Sequence, residues 1–112
     1  MTDKPVRILP QAEHDLRKAT VWYRDQGGEG LALKWADAVA AALRHVGGYP
    51  RTGGSRYAVA LQLDGLRFWP IQKFPYLIFY IERDTHLDVW RVLHAQRDIP
   101  AWMGDAPGPT VL

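Results

Sequence analysis

The residue pattern of this chain predicts an α+β fold of element order β-α-α-β-β-β, with a helical hairpin packed on one face of a small, largely antiparallel sheet. Three observations carry that expectation. Apolar residues recur at helical spacing from Ala12 to Val46, and Gly27-Gly28 interrupts the run. After the loop "YPRTGGSRY" (residues 49 to 57) the pattern changes to extended segments. The 112 residues contain no cysteine, which excludes disulfide stapling and thiolate zinc sites, so a hydrophobic core has to hold the domain.

The elements follow in order. Val6, Ile8 and Leu9 form a short extended run, and Pro10 then stands where a first helical position is expected, because a missing N–H is harmless there. Ala12, Leu16, Ala19 and Tyr23 share one helical face, with Glu13 and Asp15 near the positive end of the helix dipole. This helix is expected to stop near Gln26. A second helix starts around Glu29 or Gly30, with Leu31, Trp35, Ala38, Ala42 and Val46 as its buried stripe, widened by Val39 and Leu43. Gly47-Gly48 and Pro50 end it. Each helix has one apolar face, so the two should pack as an antiparallel hairpin against a further layer.

That layer is expected in the second half. "YAVALQL" (57 to 63) and "LRFWPI" (66 to 71) read as one or two strands around Asp64-Gly65, a dipeptide favoured in hairpin turns, and Pro70 argues for an edge or a bulge. "YLIFYI" (76 to 81) is almost continuously apolar, which fits an interior strand covered on both faces. Glu82 to His86 make a turn. The last strand, Leu87 to Leu93, alternates Leu87, Val89, Arg91 and Leu93 with Asp88, Trp90 and Val92. One domain over 1–103 is expected, with 104–112 a loose tail.

Composition narrows function only modestly. The net charge of +2 and pI of about 9.1 leave a mild basic excess, compatible with an acidic partner or with nucleic acid. The four histidines, His14, His45, His86 and His94, lack the close pairing of a helical metal motif, so neither a metal nor a cofactor is expected. The opening "MTDKPVRI" carries no apolar signal core and no stretch is long enough to span a bilayer, which makes a cytoplasmic protein the expectation.

Several residues fall in a recognisable order: Ala12, Asp15 and Leu16, then Tyr23, Pro50 and Gly53, Leu66-Arg67, "FPYLIFY" at 74 to 80 and "VLHAQRD" at 92 to 98. Over about residues 6 to 100 this resembles the RelE/ParE toxins of type II toxin–antitoxin modules, and the pairing of "PYLIFY" with "RVLHAQRD" resembles the ParE branch. The resemblance implies a small toxin neutralised by a cognate antitoxin protein, with DNA gyrase as target in that branch. The related branch, similar to RelE, implies a ribosome-dependent endonuclease acting on mRNA. Such nucleases carry a lysine-rich central loop and a catalytic tyrosine after the last strand, and "AQRDIPAWM" (95 to 103) contains no tyrosine. A third reading is a non-toxic relic that only binds its antitoxin. A neighbouring open reading frame with a DNA-binding half and an amphipathic half would establish the module.

Candidate site residues follow from these readings. His94 is the one catalytic candidate, since an imidazole transfers protons near neutrality. The alternative for "HAQRD" is a polar lock at a strand end, and the lock is the first reading. Arg67, Arg91 and Arg97 are the candidate target contacts. Trp69, Trp90 and Trp102 are the candidate antitoxin-binding aromatics, because a core this small has no need of five tryptophans, while Trp22 and Trp35 lie on the helices. Lys73 is read as solvent-facing.

Overall fold

The structure is a computed structural model that describes residues 4–96 and Ile99. Arg97, Asp98, Trp102 and the expected tail over 104–112 lie outside the described residues. Strand β1 (Val6–Ile8) leads into helix α1 (Pro10–Gly48), a 3-10 turn over Pro50–Thr52, helix α2 (Arg56–Leu61) and strands β2 (Leu66–Pro70), β3 (Tyr76–Glu82) and β4 (Leu87–His94). The sheet order is β1-β4-β3-β2, with β1 parallel to β4 and the other two pairings antiparallel. No helix among the described residues is long and apolar enough to cross a membrane.

Helix α1 is two limbs and not a straight rod. Gly28 breaks it at φ 78°, ψ −171°, a backbone region open to glycine and closed to most side chains. In an unbroken helix Thr20 and Trp35 would stand about 22 Å apart, at 1.5 Å per residue. Instead the Trp35 indole N–H donates to Thr20 Oγ1 at 3.2 Å, and that hydroxyl donates to the Leu16 carbonyl at 2.8 Å. The bond satisfies a buried polar N–H and fixes the expected antiparallel hairpin, with Tyr23 and Trp35 packed ring to ring at 5.2 Å.

The hairpin buries Ala12, Ala19, Tyr23, Trp35, Val39, Ala42 and Val46 against Ile78, Tyr80, Leu87, Val89 and Val92 of the sheet. The opposite sheet face has its own core of Leu66, Leu77, Phe79, Ile81, Leu93 and Ile99, overlaid by Tyr57, Ala58 and Leu61. Strand β3 therefore sends side chains into two cores, and its residues Leu77 to Ile81 are all buried. That is why "YLIFYI" carries no polar alternation.

The structure corrects two expectations. Residues 57 to 63 do not form a strand. Tyr57, Ala58 and Leu61 pack at helical spacing while Val59 is 86% exposed, although a strand would put Tyr57, Val59 and Leu61 on one face. Gly65 does adopt the left-handed turn conformation, φ 82°, but the turn joins α2 to β2 and not two strands. The second correction concerns β4. A register shift opposite Phe79/Tyr80 breaks its alternation, so Leu87, Val89 and Val92 lie beneath the hairpin while Leu93 joins the other core.

Charged groups tie these parts together. Asp15 on the first limb accepts from Arg91 Nε at 2.8 Å, from Arg91 Nη2 at 3.0 Å and from the Val92 backbone N–H at 3.0 Å. Both side chains are nearly buried, at 9% and 2% exposed. At the far end of β4, Asp88 holds Arg7 of β1 and Arg83 of the preceding turn, each at 3.1 Å, and Glu82 holds Lys4 at 2.8 Å. Burial works to raise the Asp88 carboxyl, but hydrogen bonds from Arg83 and the charges of Arg7 and His86 outweigh it and hold the group below the usual range. The hydrogen bond from Lys4 does the same for Glu82.

Two outcomes follow. Asp15→Ala leaves a buried guanidinium without its carboxylate, and removing one partner of such a pair costs about 3–5 kcal/mol, to be read from urea unfolding midpoints. A carboxyl whose pKa is depressed in the folded chain stabilises it above the unfolded value, and that contribution fades as pH falls through the folded value. Stability from Glu82 and Asp88 is therefore level above about pH 5 and declines below about pH 4, and Asp88→Asn flattens this acid limb.

Candidate functional site

Strand β1 pairs only with Leu87, Asp88 and Val89, so β4 runs on beyond it to His94 with the first limb of α1 beside it. Between that limb and the joined ends of β3 and β4 lies a cleft of about 350 Å³. Asp15, Lys18, Ala19 and Trp22 line one wall, Tyr23 and Tyr76 the interior, and Val92 and His94 the other wall. Trp22 is 54% exposed and stands edge-on to Tyr23 at 5.0 Å.

His94 meets the Tyr76 ring at 5.3 Å, and its Nδ1 accepts the Gln96 backbone N–H at 3.1 Å. Next to it the Ala95 N–H donates to the Pro75 carbonyl at 2.8 Å, extending the β3–β4 ladder by one rung. A neutral imidazole whose Nδ1 accepts carries its proton on Nε2, so it presents a donor and no free base nitrogen. Among the described residues, Asp15 and Tyr23 of the cleft are likewise not free bases. Asp15 uses both carboxylate oxygens on Arg91 and Val92. Burial, and then the neighbouring Tyr76, raises the Tyr23 phenol above its ordinary value.

A second groove of about 570 Å³ lies on the other side of the hairpin, between its second limb and the outer strand β2. Ala38, Ala41 and Ala42 form a shallow small-residue wall facing Trp69 and Pro70. Trp69 lies flat on His45, with ring centroids 3.9 Å apart and planes 16° apart. The Thr52 hydroxyl donates to the Tyr49 carbonyl at 2.8 Å, so towards His45 Nε2, also at 2.8 Å, it accepts, and His45 Nε2 bears the proton. The stack that holds Trp69 is thus itself pinned.

The remaining candidates separate. Arg91 is 2% exposed and bound to Asp15, so its guanidinium is a core fastener and not a surface contact for a target. Arg67 is half-buried and donates from Nη1 to the Gly53 carbonyl at 2.9 Å. Trp69 packs against the core under the hairpin and Trp90 against the core of the opposite face, so these two do not form one groove. Arg97 and Trp102 lie outside the described residues. Lys73 is exposed, at φ 71° in the β2–β3 connection.

Sequence reasoning passed over Lys18, Trp22 and the alanine wall. The signal for the first was available: Asp15, Lys18, Ala19 and Trp22 stand at i, i+3, i+4 and i+7, which places them on one helical stripe.

Gly53 is fixed by this geometry. The Tyr80 hydroxyl, whose pKa burial raises despite the nearby Gly53 backbone and Arg67, donates to the Pro50 carbonyl at 2.6 Å. A Cβ on Gly53 would meet that hydroxyl and come within 2.8 Å of the Phe68 carbonyl. Gly53→Ala is expected to destabilise by about 1–3 kcal/mol through overpacking, and Tyr80→Phe in the same chain to recover part of it, measured by chemical denaturation.

With the geometry in hand, comparison with known proteins is specific. The model of the family described as "ParE toxin of type II toxin-antitoxin system, parDE" matches residues 6–99. No curated protein matches the sequence. Among solved structures the fold is similar to a chain of a chromosomal ParDE toxin–antitoxin system from P. aeruginosa, with a TM-score of 0.69 at 15% identity over 83% of this chain and 97% of that one. The hairpin, the four-stranded sheet and the β4 terminus all fall within the matched residues, and the chain belongs to the ParE toxin family of type II toxin–antitoxin systems.

Proposed function

We propose that this chain is a toxin that acts by binding DNA gyrase and inhibiting it, and that a cognate antitoxin neutralises it. The observation that carries the choice of binding over cleavage is the chemistry of the His94 cleft. Hydrolytic or 2′-hydroxyl attack needs a base and an acid beside a phosphate. Here Asp15 is bound on both oxygens, the Tyr23 phenol is raised, and His94 Nδ1 already accepts a backbone N–H. Binding a target requires only a shaped, mildly basic surface, to which the remaining donors of Arg67 contribute, and Arg97 is the second proposed contact.

Antitoxin capture is assigned to the second groove. Trp69 is a rigid aromatic over an alanine wall, the kind of anchor that accounts for much of the binding energy of an interface. In this reading Trp90 is a peripheral contact, since it packs on the opposite sheet face, and Trp102 stays a proposed contact.

Expression without antitoxin is expected to stall growth with DNA-damage signalling, and the purified chain to inhibit gyrase supercoiling while mRNA on translating ribosomes stays intact. His94→Gln should leave gyrase inhibition in place and lower thermal stability. Cleavage of ribosome-bound message that falls about 10²-fold or more in folded His94→Gln would instead establish the nuclease reading. A chain inert in both assays that still binds the antitoxin encoded beside it would be the relic. Trp69→Ala is expected to weaken antitoxin binding about 30-fold, read by calorimetry.

A further inference from the structure

The His94 cleft has properties that antitoxin capture in the second groove does not use. Lys18 is exposed and forms no ion pair among the described residues, although it shares a wall with Asp15. Asp15 is no partner for it, because its charge is matched by Arg91 within the buried pair. Among the described residues, the cleft therefore keeps the charge of Lys18 uncompensated. His94 lines the same cleft, and its bond from Gln96 leaves the proton on Nε2. The cleft is lined as well by aromatic surfaces: Trp22, half-exposed, the Tyr23 ring at 5.0 Å from it, and Tyr76 against His94.

From this juxtaposition we propose that the cleft binds a nucleotide unit without cleaving it, with Lys18 and His94 Nε2–H on the phosphate and the base stacked on Trp22. A lone carboxylate or inorganic anion would use the donors but leave the indole uncovered. A purely apolar side chain would cover the indole but bury an unpaired ammonium. A phosphate joined to a flat ring satisfies both, since every base offers a π-face to an aromatic side chain and phosphate takes up Lys and imidazole donors. The volume of about 350 Å³ lies at the small end of ligand pockets, which suits one nucleotide and not several. Non-cleavage follows from the same geometry, because among the described residues no group in the cleft is poised as a base.

The test is a ¹H–¹⁵N NMR titration of the whole chain, following the Trp22 indole and the Gln96 and Val92 amides. The probes are AMP, adenosine, inorganic phosphate, a thymidine pentanucleotide and an acidic aromatic tripeptide. AMP is expected to shift all three signals and to bind about 5-fold or more tightly than inorganic phosphate, the gain that one stacked base supplies. Trp22→Ala should remove that margin and leave phosphate binding, whereas Lys18→Met should remove phosphate dependence and leave adenosine unaffected. Both side chains are exposed, so both variants keep the fold. A pentanucleotide that binds more tightly than AMP assigns the unit to a single strand, and the reverse assigns it to a free nucleotide; either upholds the site. Equal affinity for AMP and phosphate, no shift at about 10 mM ligand, or a response only to the tripeptide overturns it. Gyrase inhibition is measured in parallel on the same variants, so loss of nucleotide binding with inhibition intact separates failure of this site from failure of the toxin reading.

Discussion

The buried bond between Asp15 and Arg91 is the constraint on which the rest of the arrangement depends. Strand β4 outruns its parallel neighbour: beyond Val89 its outer edge pairs with no strand among the described residues. A backbone N–H left there would be an uncompensated buried donor. Asp15 supplies the missing acceptor at Val92, and a carboxylate drawn into that position then requires a cation. Arg91 provides it in fork geometry, from the strand segment where the register shift occurs. The bulge, the buried arginine and the placement of the first limb are therefore one solution to one problem, an unpaired strand end.

That solution also creates the cleft. A helix beside a strand edge stands off by the length of its side chains, whereas a paired strand would approach to about 4.8 Å and close the gap. The stripe that begins with Asp15 continues through Lys18 and Trp22, so the residue that anchors the limb sets which side chains wall the opening. The second limb returns on the far side of Gly28 and presents alanines to the groove there. One helical hairpin thus offers two openings of different chemistry, cationic and aromatic on one side, and on the other an alanine wall facing Trp69 with Asp37 and Lys73 also on its lining.

Much of this was legible in the sequence, for identifiable reasons. The hairpin was legible because Gly27-Gly28 interrupts two strong apolar stripes, and β3 because an unbroken apolar run of strand length has few other homes. Residues 57 to 63 were not. "YAVALQL" fits a period of two as well as a helical one, and only the exposure of Val59 decides between them. Arg91 was misplaced for a related reason. Periodicity assigns a residue to a face but says nothing of a partner 76 positions away, and the strand's alternation is broken by a bulge that no turn residue announces. The tryptophans show the same limit: their number signalled surplus aromatic surface, while their distribution over two sheet faces depends on register.

The edges of the sheet bear on how a partner would bind. Strand addition needs an open, extended edge. On β2 that edge is closed at Phe68, whose N–H and carbonyl both bond Gly54 at 2.9 Å, and Pro70 at its end offers no donor. On the other side β1 is only three residues long, and one residue later Pro10 opens α1. Neither edge suits a long added strand, and on the outer edge of β4 beyond β1 the Val92 N–H is already taken by Asp15, so side chains entering a groove are the better source of affinity for a partner segment. For that mode the fixed His45–Trp69 stack matters more than the area of the groove. An aromatic already held by a stacked ring, and that ring by a hydroxyl with a defined donor, loses little conformational freedom on binding. Under the antitoxin proposal the groove beside β2 is therefore the favoured landing place, and the recognised segment is one that lays apolar side chains at helical spacing against Ala38, Ala41 and Trp69.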